Sequence, residues 1–229
     1  MSKDIEKRYL TETVELRKDD NGGLKLGGYA LKFNKLSQNL GGFVERIAPG
    51  ALNKTLADGG DVLARFQHED NFLLGRTSAG TLRLSVDEVG LMYEVDLPDT
   101  SYARDLAALA ARGDVRNSSF AFWVPPEGDS WALTDQGFPL RTLNEIGLAD
   151  VAPVVSPAYL DTTTGLRHLA EARNLDLDAV QAAAASNALA DLLSARAEPE
   201  PTPETPSEPH VPVGLLRLKG DWLSRRPTI

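Results

Sequence analysis

From about Leu10 to Arg167, apolar residues come in short runs that Gly, Pro, Asn and Asp keep interrupting, and few stretches hold a helical repeat for long. That punctuation restricts the chain to short strands joined by tight turns, so the expected class is α+β and mainly β. Candidate strands are Thr13 to Leu16, Leu24 to Phe33, Phe43 to Ile47 and Val62 to His68. Thr81 to Val86 and Leu91 to Leu97 alternate apolar and polar residues around Asp87-Glu88-Val89-Gly90, which predicts a hairpin. Val115 to Val124 and Asn144 to Val155 complete the set, the last stopping at Ser156-Pro157-Ala158.

Two helices are expected inside this frame. Pro49 suits a first helical turn, predicting a helix from Pro49 to Ala57 closed by Gly59-Gly60. Thr100 or Ser101 caps a second, running to about Arg112 with Leu106 and Leu109 on its apolar face and Gly113 ending it. After Arg167 the character changes. Leu175 to Arg196 is Ala-rich with a helical pattern, while Ala197 to Val213 holds six prolines and four glutamates and cannot build a core. Gly214 to Ile229 mixes Leu215, Leu216, Leu218, Trp222 and Leu223 with basic residues, as a docking peptide on an extended tether would. The expected division is therefore a globular domain over residues 1–168, a helical extension over 169–196, a linker over 197–213 and a docking peptide over 214–229.

Composition narrows the chemistry. The chain has no cysteine, which excludes disulfides, thiolate catalysis and thiolate metal sites. Its net charge of -9, with no long basic run in the first 170 residues, argues against nucleic acid as a partner. The polar segment Met1 to Leu10 lacks an apolar signal core, and no stretch approaches the roughly 20 apolar residues of a membrane span. No membrane contact and no cofactor are expected, and the cytoplasm of the cell where the chain is made is the expected compartment.

A nucleophile must then be a hydroxyl, carboxylate or amine. His68, in Phe66-Gln67-His68-Glu69-Asp70, is the only histidine before His168 and is a candidate general base. A lone histidine is more often structural. Ser118 and Ser119, adjacent on a predicted strand, are candidate nucleophiles or simply strand residues facing opposite sides. Metal binding is disfavoured, because strand alternation leaves only His68 and Asp70 on one side with no third ligand.

Several ordered motifs give the chain a resemblance that spans roughly Tyr9 to Arg167. Gly28-Tyr29-Ala30-Leu31-Lys32-Phe33 and Glu45-Arg46-Ile47-Ala48-Pro49-Gly50-Ala51 open the series. Val62 to His68 followed by Leu74-Gly75-Arg76-Thr77, then Ser119-Phe120-Ala121-Phe122, then Leu148-Ala149-Asp150-Val151-Ala152-Pro153-Val154-Val155-Ser156-Pro157-Ala158-Tyr159 continue it. Together they resemble the tailed-phage prohead proteases. Ala121 replaces that family's usual glycine, and Asp150 its usual glutamate.

The resemblance implies a serine endopeptidase with Ser119 as nucleophile, His68 as general base and Asp150 as the orienting acid. Asp150 also has a purely structural alternative, as a strand-end carboxylate paired with an arginine such as Arg141. The fold implied is a herpesvirus-assemblin-like β-barrel with surrounding helices. The implied partners are a scaffold protein or the scaffold domain of the major capsid protein, the capsid shell and a second copy of the chain, inside the procapsid. Self-cleavage is expected in the linker over 197–213. The rival reading is a catalytically inactive, scaffold-type capsid assembly protein.

Overall fold

The computed structural model describes residues 4–11, 13–156 and 163–194. The linker and docking peptide expected over 197–229, and Pro157 to Tyr159 of the last motif, lie outside them.

In chain order the elements are β1 (Glu6–Leu10), β2 (Glu15–Lys18), β3 (Leu24–Lys32), β4 (Val44–Ile47), α1 (Asn53–Ala57), β5 (Leu63–Arg65), β6 (Leu73–Arg76), β7 (Leu82–Val86) and β8 (Gly90–Asp96). They continue with α2 (Ser101–Arg112), β9 (Asn117–Trp123), β10 (Asp129–Leu133), β11 (Pro139–Leu143), β12 (Gly147–Val154), α3 (Thr163–Arg173), α4 (Leu177–Ala185) and α5 (Leu189–Ser194). The mainly-β α+β class is as expected. Three sheets carry it, with strand orders β1-β9-β12-β5-β6, β2-β3-β8-β7 and β10-β11-β4. Among the described residues, pairing is parallel only between β12 and β5 and between β11 and β4. Each sheet runs from one edge strand to another, so the strand pairings of the described residues do not display the closed barrel of the assemblin expectation.

The predicted hairpin forms as β7 and β8, with the Asp87 carboxylate accepting from the backbone N–H groups of Val89 and Gly90. Thr100 caps α2 by accepting from the Ala103 N–H, and Gly113 ends the helix at φ 83°, a left-handed geometry that favours glycine. Other expectations shift. The first helix is only Asn53–Ala57, preceded by turns over Pro49 to Leu52. The run Val62 to His68 is a strand only over Leu63–Arg65 and then turns sharply. The single helix expected over Leu175 to Arg196 is broken into α4 and α5 around Asn187, which takes φ 57°. β1, the β10–β11 hairpin and α3 were not foreseen.

One apolar cluster joins Leu26 and Leu31 of β3, Tyr93 and Val95 of β8, Phe120 and Phe122 of β9, Val151 of β12 and Leu106 of α2. A second gathers Leu40 and Phe43 with Leu166, Leu169, Val180, Ala184 and Leu189 of the three C-terminal helices. At Gly42, φ 108°, an added Cβ would lie 2.7 Å from the Ala184 carbonyl oxygen, so only glycine lets α4 come this close.

Beside the first cluster lies a buried ion network. Arg141 of β11, fully buried, donates through both terminal nitrogens to Glu6 of β1 at 2.8 and 3.0 Å, to Glu45 of β4 at 3.0 Å and through Nε to Asp129 of β10 at 2.6 Å. Arg8 of β1 donates to both oxygens of Glu45, at 2.9 and 3.1 Å, and to Glu6 at 2.7 Å. His168 of α3 meets Arg141 Nη2 at 3.0 Å. Burial alone would raise the Glu6 carboxyl, but the Arg141 and Arg8 guanidinium groups outweigh it and hold it below its ordinary value of 4.5. Asp129 is likewise lowered from 3.8: burial opposes ionisation, while His168 and Arg141 favour it and win.

Removing one partner of such a network leaves buried charges uncompensated. Arg141→Ala is therefore expected to cost about 3–5 kcal/mol of stability, read from the urea midpoint. Because Glu6 and Asp129 are lowered, their contribution is complete above their ordinary values of 4.5 and 3.8 and is lost as pH falls through the folded values. The melting temperature should hold between pH 7 and about 5 and drop below that, and the drop should be smaller in a Glu6→Gln, Asp129→Asn variant.

Candidate active site

Three side chains meet on one face of the five-stranded sheet. His68 Nδ1 lies 2.5 Å from Asp150 Oδ1, and its Nε2 lies 2.6 Å from Ser119 Oγ. All three are nearly closed to solvent, with side-chain exposure of 3% for His68 and 5% for Asp150, and 1% for the Ser119 residue.

The strands explain why these residues meet. Ser119 sits on β9 opposite Ala152 of β12, and Asp150 sits opposite Ala121. Residues on adjacent strands that face each other project to the same side. Ser119, Ala121, Ala152 and Asp150 therefore share a face, and Phe120, Phe122, Leu148 and Val151 share the other, in the core. Leu148 and Asp150 are two apart and would share a face in a regular strand. The register shift between them makes Ala149 a bulge, which turns Asp150 away from the core and toward Ser119.

His68 reaches the site from a backbone turn. After β5, which runs parallel to β12 with Leu63 opposite Asp150, Gln67 and His68 both take φ 60°. Two successive left-handed non-glycine residues cost roughly 1–2 kcal/mol each. The loop recovers this through backbone hydrogen bonds from Glu69 N to the Phe66 carbonyl, Phe72 N to the Glu69 carbonyl and Phe66 N to the Phe72 carbonyl. From α2, the Tyr102 hydroxyl donates to the Leu73 carbonyl at 2.6 Å and its ring packs on Phe72, bracing the same loop.

The alternatives left open by sequence separate here. Ser118 points to the opposite side of β9, where its hydroxyl lies 3.2 Å from that of Tyr93, a phenol that burial pushes up to about 12. Arg141 does not approach Asp150, being engaged in the ion network. The arginine near Asp150 is Arg65, whose Nη1 lies 3.7 Å from Oδ2 and also pairs with Asp70. Asp70 thus turns to Arg65, and among the described residues no group of three or more His, Cys, Asp or Glu is arranged to hold a metal ion. Sequence reasoning missed Arg65, although its place three residues before His68 was a signal, and missed β1 altogether.

With Nδ1 facing a carboxylate, the neutral imidazole carries its proton there and leaves Nε2 as a base toward the Ser119 hydroxyl. This is the arrangement that activates a hydroxyl for attack on an acyl carbon.

A family model described as caudovirus prohead serine protease matches residues 12–175. Among solved structures, the capsid assembly protease of bacteriophage T4 is similar, at 16% identity and a TM-score of 0.44, over 66% of this chain and 99% of that one. No curated protein matches the chain.

Asp150→Asn preserves the shape of the site but favours the wrong imidazole tautomer. The rate at which a phosphonofluoridate modifies Ser119 should fall on the order of 10⁴-fold, followed by intact mass. An unchanged rate would remove Asp150 from the site.

Proposed function

We propose, for a chain that belongs to the caudovirus prohead serine proteases, that it is an endopeptidase working through Ser119, His68 and Asp150 to cleave capsid components during head maturation. The observation that carries this reading is the unbroken line from Asp150 to His68 to Ser119 at 2.5 and 2.6 Å, on a face closed to bulk water.

In the proposed mechanism Ser119 Oγ attacks the carbonyl carbon of a peptide bond while Nε2 of His68 takes its proton. The imidazolium is stabilised by Asp150, whose other oxygen faces Arg65. His68 then gives the proton to the departing amine, and water, activated by the same nitrogen, hydrolyses the acyl-enzyme.

The substrates proposed are a scaffold protein or the scaffold domain of the major capsid protein, reached inside the procapsid, with self-association as part of the assembly. Self-cleavage within 197–213, recruitment by 214–229 and an assemblin-like fold belong to the same proposal. No helix among the described residues is long and apolar enough to cross a membrane.

Coexpression of the chain, wild type and Ser119→Ala, with the neighbouring capsid and scaffold proteins tests the proposal, followed by intact-mass analysis of every product. Cleavage by wild type alone is expected. Cleavage by both would assign the cut elsewhere, and cleavage by neither would favour a non-catalytic assembly role.

A further inference from the structure

The Ser119 hydroxyl has one proton and faces two acceptors, Nε2 of His68 at 2.6 Å and the backbone carbonyl oxygen of Arg8 at 2.8 Å. The second acceptor belongs to β1, an edge strand that pairs antiparallel with β9 and sets Arg8 opposite Phe120 and Tyr9 opposite Ser119. The N-terminal strand thus lies where an extended peptide must lie to bring a carbonyl to Ser119. Addition of a strand to a sheet edge is an ordinary mode of peptide recognition.

Away from Ser119, β1 inserts two charged side chains into fitted sockets. The Arg8 guanidinium meets both oxygens of Glu45, and its carbon lies 5.5 Å from the centre of the Phe122 ring. The Glu6 carboxylate meets both terminal nitrogens of Arg141, which Asp129 holds from behind. An edge strand needs only apolar side chains to stay bound, and a buried ion pair is commonly no more stabilising than a hydrophobic replacement. What paired, oriented charges do supply is discrimination between partners.

We propose that β1 stands in for the substrate, and that Glu45 and Arg141 are specificity-determining residues. They select an extended peptide with a basic residue in the place of Arg8 and an acidic residue two positions before it. The inference rests on the peptidase reading given above. The bond cut is the one after the basic residue: Ser119 Oγ joins its carbonyl carbon, the C–N bond to the next residue breaks, and the Ser119 proton passes through His68 to the departing amine. Water then releases the acidic-x-basic fragment and restores Ser119. A peptide neutral at both positions leaves Glu45 without the guanidinium that meets both its oxygens and Arg141 without the carboxylate that meets both its terminal nitrogens, keeping only the Arg141 bonds to Glu45 and Asp129, which is why the sockets reject it.

The test uses the full chain carrying Glu6→Gln and Arg8→Gln, which loosens β1, and two peptides. One has the sequence of residues 4–11, and the other replaces its Glu and Arg with Gln. The first should be cut after its Arg with kcat/KM on the order of 10²-fold above the second. Phosphonofluoridate labelling of Ser119 is measured in parallel. Labelling with equal rates on the two peptides, or with cleavage at another bond, overturns the specificity proposal and leaves the peptidase reading standing. Absence of both labelling and cleavage overturns both. If circular dichroism shows the variant unfolded, the same comparison is made on the wild-type chain with peptide in excess over β1, and the same outcomes decide.

Discussion

The buried guanidinium of Arg141 is the interaction on which the arrangement of the sheets depends. It reaches β1, β4 and β10 at once, and through Glu45 it is coupled to Arg8. A charge with no exposure to water is tolerable only when every donor is matched, so the positions of Glu6, Glu45 and Asp129 are fixed together rather than one at a time. The three-stranded sheet is thereby tied to the edge of the five-stranded sheet that carries the serine.

The geometry at His68, Ser119 and Asp150 comes from two departures from regular backbone. The bulge at Ala149 reverses the side on which Asp150 emerges, and the left-handed pair Gln67 and His68 swings the imidazole back across β12. A regular β12 would have sent Asp150 into the apolar core, and a regular continuation of β5 would have carried His68 along the strand. Both irregularities are held from outside, by the ladder of β9 on one side and by Tyr102 of α2 on the other.

The edge strand β1 links these two systems. Its side chains belong to the ion network and one of its carbonyls to the serine, so the force that holds the strand in place is electrostatic while its effect is felt at Ser119. The proposed exchange of β1 for a peptide of like charge draws on this arrangement, since a sheet edge can accept an added strand.

The sequence by itself determined the strand-rich class, the β7–β8 hairpin and the capped helix α2, because alternation, turn residues and caps act over a few neighbours, while the blocks containing His68, Ser119 and Asp150 stood out only through the family resemblance. It did not reveal β1, whose Glu-Lys-Arg core has no apolar alternation, nor the two strands β10 and β11. The resemblance pointed to Ser119, but that its hydroxyl meets His68, which arginine faces Asp150 and where Arg141 goes were decided only by the tertiary structure. The partners concerned stand 51, 85 and 135 residues apart in the chain, and a one-residue bulge is enough to change the side from which a group emerges. Local patterns specify elements, while long-range register and charge matching specify which side chains meet.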